Sequence, residues 1–171
     1  MQPLITASST KEEVFSQVEG SLASQGFTVV SHDFSRPWGG FFVIEEAQAP
    51  AFIEAYFPSM RLKDFTITAK LSPKILVVAP GKRLSWQYHF RRAEIWRVVA
   101  GEAGVVTSLT DEEGPLKEYE PGDIIRLQQG ERHRLVGLGT YGIIAEIWQH
   151  TEEANPSNEE DIVRLQDDFG R

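Results

Sequence analysis

The chain has 171 residues, 41% of them hydrophobic, a formal net charge of −8 and no cysteine. This length suits one domain with a real core, and the missing cysteines exclude disulfides, thiolate metal sites and cysteine nucleophiles. The acidic balance argues against a nucleic-acid partner, though not against a small anion held by a few local arginines. No stretch approaches the roughly 18 apolar residues of a membrane helix, and no basic region with an apolar run opens the chain, so the expectation is a cytoplasmic protein with no membrane partner.

In chain order, residues 9–25 read as a helix. Ser9 or Thr10 can cap it, with Glu12 and Glu13 completing a capping-box pattern, and Val14, Val18 and Leu22 recur near the helical period. Gly26 is a natural stop. Residues 27–30 read as a strand, Arg36-Pro37-Trp38-Gly39-Gly40 as a turn or crossing segment, 41–44 as a strand and 51–56 as a short helix. From Phe65 the signal is β at nearly regular spacing, with candidate strands at 65–70, 74–79, 83–89, 94–100, 103–108, 123–127, 132–136 and 142–149. Gly and Pro punctuate them at Pro80-Gly81, Gly101, Gly104, Gly114-Pro115, Pro121-Gly122, Gly130 and Gly137, so the class is an all-β sandwich or barrel. Residues 151–160 are polar and read as a loop, and its acidic run Glu159-Glu160-Asp161 reads as solvated. Residues 161–169 read as a helical turn or extended tail. The economical division is one domain, with residues 1–34 as helix and strand, 35–150 as core and 151–171 as tail.

The chemistry is concentrated around residues 81–96. Gln87 and His89 are two apart on a strand and share a face; Glu94, Trp96 and Val98 alternate on the next strand; His133 and Leu135 do so on a later one. One neutral oxygen donor, two imidazoles and one carboxylate make a complete set of ligands for a borderline divalent metal. His32 and His150 read as structural or surface residues, and Trp38, Trp86, Trp96 and Trp148 as core.

The stretch from Gly81 through Gln87, His89 and Glu94 to Gly101 resembles the first motif of the cupin superfamily, with Gln87 in place of the first histidine. Residues Gly122 to His133 resemble the second motif, with Gln128 where proline is usual and Gly137 where asparagine is usual. Leu84-Ser85-Trp86-Gln87-Tyr88-His89, Arg92-Ala93-Glu94-Ile95-Trp96 and Val98-Val99-Ala100-Gly101 are similar to the isomerase domain of type II mannose-6-phosphate isomerases. So are Arg36-Pro37-Trp38-Gly39, Lys74, Arg132-His133-Arg134-Leu135 and the tail Glu160-Asp161-Ile162-Val163-Arg164. The resemblance covers roughly residues 35–171, apart from a stretch near 48–70. Such domains are usually fused to a guanylyltransferase; no glycine-rich nucleotide loop precedes the motif, so a stand-alone isomerase is expected.

The resemblance implies a jelly roll, or double-stranded β-helix, holding one divalent ion, zinc by its N/O ligation, on Gln87, His89, Glu94 and His133. It implies interconversion of mannose 6-phosphate and fructose 6-phosphate through a cis-enediol, with Arg92 assisting electrostatically and Lys74, Arg134 and Arg164 as contacts to the sugar phosphate. Arg92 could equally form an ion pair that orients Glu94. Glu146 matches a family glutamate, which leaves open whether it carries protons or belongs to the core. A non-catalytic sugar-binding cupin and a metal-dependent oxygenase stay open as alternatives. A homodimer is expected, pairing partly through the apolar segment Phe27–Val30.

Overall fold

A computed structural model describes residues 4–171. The first helix, α1 (Lys11–Ser24), begins where its sequence says it should: the Thr10 hydroxyl accepts the Glu13 N–H and the Glu13 carboxylate accepts the Thr10 N–H. It buries Val14, Phe15, Val18 and Leu22. A second, short helix, α2 (Ala49–Tyr56), buries Phe52, Ile53 and Tyr56.

Eleven strands follow in two antiparallel sheets. They are β1 (Val29–Asp33), β2 (Gly39–Ile44), β3 (Lys74–Val78), β4 (Trp86–Tyr88), β5 (Arg92–Ala100), β6 (Ala103–Ser108), β7 (Leu116–Tyr119), β8 (Ile124–Leu127), β9 (Arg132–Gly137), β10 (Gly142–His150) and β11 (Val163–Gln166). The six-stranded sheet has the order β1-β2-β3-β10-β5-β8 and the five-stranded sheet the order β11-β4-β9-β6-β7. Among the described residues no helix is long and apolar enough to cross a membrane.

The large sheet is covered on both faces, so β3, β5 and β10 are buried along most of their length. Side chains alternate between two cores. Ile75 and Val77, Ile95 and Val99, and Ile143, Ala145 and Ile147 pack toward α1 and α2. Leu76 and Val78, Trp96 and Val98, and Ile144 pack inward against Val105 and Leu135 of the small sheet. Carried further along the same strands, the inward register reaches polar residues: Lys74 on β3, Arg92 and Glu94 on β5, Glu146 on β10. One end of the jelly-roll interior is therefore apolar and the other end is charged.

Two expectations are corrected, and one alternative is decided. Residues 65–70 form no strand: Phe65 is buried, but Ile67 is 56% exposed, so the alternation has no sheet to serve. Of the two readings of the tail, helical turn or extended, the extended one holds: β11 pairs with β4 in the order Val163↔Tyr88, Arg164↔Gln87. The first strand starts at Val29, while Phe27 turns into its own chain's core against Phe52 and Tyr56. Strand β7, mostly exposed and half charged, was not anticipated.

Both departures from the second cupin motif have local reasons. A Cβ at Gly137 would lie 1.9 Å from the Ala79 carbonyl oxygen, so an asparagine would not fit there without a shift of backbone. Gln128 donates its backbone N–H to Glu131 Oε1 at 2.8 Å, a bond that a proline could not make.

Candidate metal centre

Strand pairing brings the ligand candidates together. Gln87 on β4 lies opposite His133 on β9, and His89 follows directly after β4. Glu94 points inward from β5 in the facing sheet. His89 Nε2 lies 3.3 Å from Glu94 Oε1, and His133 Nε2 lies 3.5 Å from Glu94 Oε2. All three residues are buried, and their ligand atoms lie within 4.8 Å of one another, so the cluster could hold a metal ion.

The hydrogen bonds around the two imidazoles determine which nitrogen faces inward. His89 Nδ1 lies 2.7 Å from the Asp161 carbonyl oxygen, and His133 Nδ1 lies 3.0 Å from that of Glu131. A carbonyl only accepts, so both Nδ1 atoms carry the proton, which in a neutral ring leaves the lone pair on Nε2. His133 Nε2 is buried with no hydrogen-bond partner. Two imidazoles with backbone-fixed Nδ1–H, bare Nε2 atoms and a shared carboxylate are the chemistry a divalent cation needs. Gln87 stands beside this trio with its amide turned the other way. Its Oε1 accepts from Ser85 Oγ at 2.5 Å, and its Nε2 lies 3.4 Å from His89 Nε2. A half-turn of the amide would present the oxygen to the cluster and leave the NH2 to Ser85.

Electrostatics favour an ionised Glu94 carboxylate beside a neutral His89 ring. Burial pushes Glu94 up, but the charges of Arg92, His133 and His89 and the Arg92 hydrogen bond outweigh it, giving a pKa of about 2. Burial lowers His89 to about 4 against the opposing pull of Glu94. Arg92 reaches across the cluster: Nε donates to Glu94 Oε1 at 2.8 Å, and NH2 lies 3.2 Å from His89 Nε2. Its NH1 donates to Ser157 Oγ and to the Asn158 carbonyl.

A cavity of about 150 Å³ opens onto Glu94, Gln87 and Arg92. Lys74, Trp96, Glu146 and Trp148 line it on the large-sheet side, with Arg36, Trp38, Glu159, Arg164 and Arg171 also on its walls. The Trp148 ring carries two cations, Lys74 Nζ at 3.4 Å and Arg92 Cζ at 3.6 Å from its centroid. Glu146 anchors this arrangement, accepting Trp96 Nε1–H at 2.8 Å and Trp148 Nε1–H at 2.9 Å. Burial, reinforced by the Glu94 charge, raises Glu146 to about 8.

Of the candidate phosphate contacts, Lys74 and Arg164 line the cavity and Arg134 does not. Arg134 follows His133 on β9 and therefore faces away, where its guanidinium is taken up by the Leu84 carbonyl, Glu113 and Gln166. The run Glu159-Glu160-Asp161 is not simply solvated, since Glu159 pairs with Lys74 at 2.8 Å and Asp161 is buried. Arg36 and Arg171 join the cavity wall without having been singled out. Trp38, Trp96 and Trp148 line the cavity, whereas Trp86 is core, its Nε1–H on the Asp111 carbonyl. His32 is exposed and stacks on Phe34; His150 is buried between Ser72 Oγ and the Ser157 N–H.

Comparison with known proteins agrees with this geometry. Residues 25–167 match the family described as mannose-6-phosphate isomerase C-terminal. A mannose-1-phosphate guanylyltransferase of Salmonella montevideo is 30% identical over 118 residues, 69% of this chain and 23% of the relative. The xanthan biosynthesis protein XanB of Xanthomonas campestris pv. campestris is 29% identical over 161 residues, 94% of this chain and 28% of the relative. The chain thus spans only about that fraction, 23% to 28%, of these relatives' lengths. Among solved structures, the capsular polysaccharide assembling protein CapF from Staphylococcus aureus superposes with a TM-score of 0.52 at 14% identity, over 80% of this chain and 34% of that one. A recombinant oxalate oxidase in complex with glycolate gives 0.51 at 19%, over 78% and 58%; at these identities the likeness shows the jelly-roll fold alone. With the family match covering most of the chain and the fold in agreement, the chain belongs to the mannose-6-phosphate isomerase C-terminal family.

Proposed function

We propose that this chain is a metal-dependent sugar-phosphate aldose–ketose isomerase, with mannose 6-phosphate and fructose 6-phosphate as its substrate pair. The observation that carries the reading is the pair of imidazole Nε2 atoms aimed at one ionised carboxylate, Glu94, which itself lines a cavity walled by Lys74, Arg36, Arg92, Arg164 and Arg171. His89, Glu94 and His133 would hold the ion, zinc by donor type, with Gln87 as a neutral fourth ligand. A divalent ion there supplies Lewis-acid polarisation of the substrate oxygens.

The protein's own groups account for the rest. Isomerisation removes the proton from C2 of the aldose and returns one to C1, while a hydroxyl proton moves from O2 to O1 through the cis-enediol. Of the carboxyls on the cavity wall, Glu94 and Glu159 are ion-paired with Arg92 and Lys74, which leaves Glu146 to accept and return the carbon-bound proton, and its raised pKa keeps both protonation states within reach near neutrality. Arg92 is a fixed positive charge facing the negative charge that develops on the enediolate. Burial and the nearby Arg171 and Arg36 lower the pKa of Arg164, so three guanidinium groups crowd one side of the cavity. A phosphate dianion would relieve that crowding.

Metal-loaded protein assayed with mannose 6-phosphate, with and without chelator, tests the reading: chelator-sensitive formation of fructose 6-phosphate is expected, and inactivity of the loaded chain on hexose phosphates would refute it. One observation favours a second reading, a sugar-phosphate-binding cupin without turnover. Arg92 already sits against Glu94 and His89, so a built-in cation could substitute for the metal.

A further inference from the structure

The segment after β10 doubles back over the centre and ties its parts together. His150, the last residue of β10, accepts the Ser157 N–H at its Nδ1, 2.9 Å away, which starts the strap. Asp161, buried within the strap, bonds in four directions. Its backbone carbonyl accepts His89 Nδ1–H at 2.7 Å. Its Oδ1 accepts the Phe90 N–H at 2.9 Å, and its Oδ2 accepts the Arg91 N–H at 3.0 Å and Ser157 Oγ–H at 2.5 Å. Ser157 Oγ in turn accepts Arg92 NH1 at 2.8 Å. One carboxylate thus braces the turn between His89 and Arg92 from outside, while the same residue's carbonyl sets the orientation of the His89 ring.

We infer that Asp161 is a positioning residue of the metal centre: it holds His89 as the Nδ1–H tautomer with Nε2 bare, and it keeps His89 and Arg92 at their working spacing. This rests on the metal reading above. No other carbonyl contact orients His89, whereas His133 is held separately by Glu131 on its own turn. Loss of the Asp161 carboxylate would release the strap, and with it the carbonyl, from His89 and the turn to Arg92, and would leave His133 held as before. Outer partners of this kind are typically worth about 10–100-fold in metal affinity.

The test compares wild type, Asp161→Asn and the milder Ser157→Ala with Asp168→Ala as control. Asp168 pairs with Arg83 at 2.7 Å near the chain's end and touches none of the metal candidates, so its variant loosens the tail elsewhere. Two readouts are taken: affinity for zinc(II) by competition with a chelating dye, and the ring-nitrogen tautomers of His89 and His133 by NMR of the metal-free, ¹⁵N-labelled chain. Asp161→Asn should bind zinc(II) about 10–100-fold more weakly, with His89 passing to mixed tautomers and His133 unchanged. Ser157→Ala should move both readouts the same way by less, and Asp168→Ala should move neither. Wild-type affinity and a pure Nδ1–H His89 in Asp161→Asn would overturn the inference, as would equal losses in Asp168→Ala. Should Asp161→Asn not fold, Ser157→Ala decides on the same two readouts. Wild type that binds no zinc(II) refutes the metal reading itself; the tautomer comparison, which needs no metal, then decides the role of Asp161 alone.

Discussion

Arg92 donates from Nε to Glu94 Oε1 at 2.8 Å, two positions apart on the same face of β5, with the two residues only 5% and 2% exposed. The rest of the guanidinium is equally committed, to Ser157, Asn158, His89 and the Trp148 face. Arg92 is therefore a charge held in place rather than a mobile side chain, and it supplies none of the candidate ligand atoms. Arg92→Ala should lower turnover by about 10²–10³-fold, as loss of a transition-state donor does, while zinc content stays near that of wild type. Parallel measurement of kcat and metal stoichiometry checks this; equal loss of both would make Arg92 a structural support of the ligands.

His133→Ala should weaken zinc(II) binding by more than about 100-fold, because the loss of an outer partner alone costs 10–100-fold. His32→Ala is the control, since it removes an imidazole that is exposed and stacks on Phe34, away from the cluster and the strap. Metal analysis after dialysis distinguishes them, and full occupancy in His133→Ala would contradict the ligand set.

The buried carboxyl of Glu146 makes stability depend on pH in a direction opposite to His89. Its folded-state pKa is raised from 4.5 to about 8, so between those values the folded chain binds more protons than the unfolded one. That contribution is full below about 4.5 and is lost as pH rises through 8. His89, lowered from 6.5 to about 4, loses its contribution as pH falls through that window. Glu146→Gln removes the first effect and leaves the second. Urea unfolding in chelator should show the variant gaining on wild type from pH 5 to 8, by at most about 1.4 kcal/mol per pH unit, the limit for one proton. A difference that does not change with pH would mean that Glu146 is ionised throughout.

The His89, Glu94 and His133 cluster was legible because its spacing is local and its strands alternate strictly: His-x-x-x-x-Glu on one turn and a histidine on an inward position of β9. The same alternation excludes Arg134, whose neighbour His133 already claims the inward face. Arg36 and Arg171 were given no role because they come from a turn and a tail, where no period announces which way a side chain points. Asp161 was hidden for a different reason. An acid in a polar run reads as solvated, and only the fold reveals the three donors that make its burial tolerable. The two helices and most strands followed from capping and periodicity; β7 did not, because an exposed, charged edge strand carries little apolar signal.

Strand β1 ends the large sheet and leaves Val30 52% exposed. We expect two copies to pair antiparallel along this edge, without Phe27, which is used in its own core. Light scattering at several concentrations should give a dimer mass, and Val30→Lys should shift it toward monomer. A monomer mass throughout for wild type would refute the pairing.

Turnover in deuterated water tests the isomerase reading most directly. Metal-loaded protein is incubated with mannose 6-phosphate in D2O and followed by NMR. The account predicts fructose 6-phosphate carrying deuterium at C1, formed by wild type, abolished by chelator and strongly reduced in Glu146→Gln. Tight binding of the sugar phosphate with no product and no exchange of its C2 proton would contradict it and leave a binding protein.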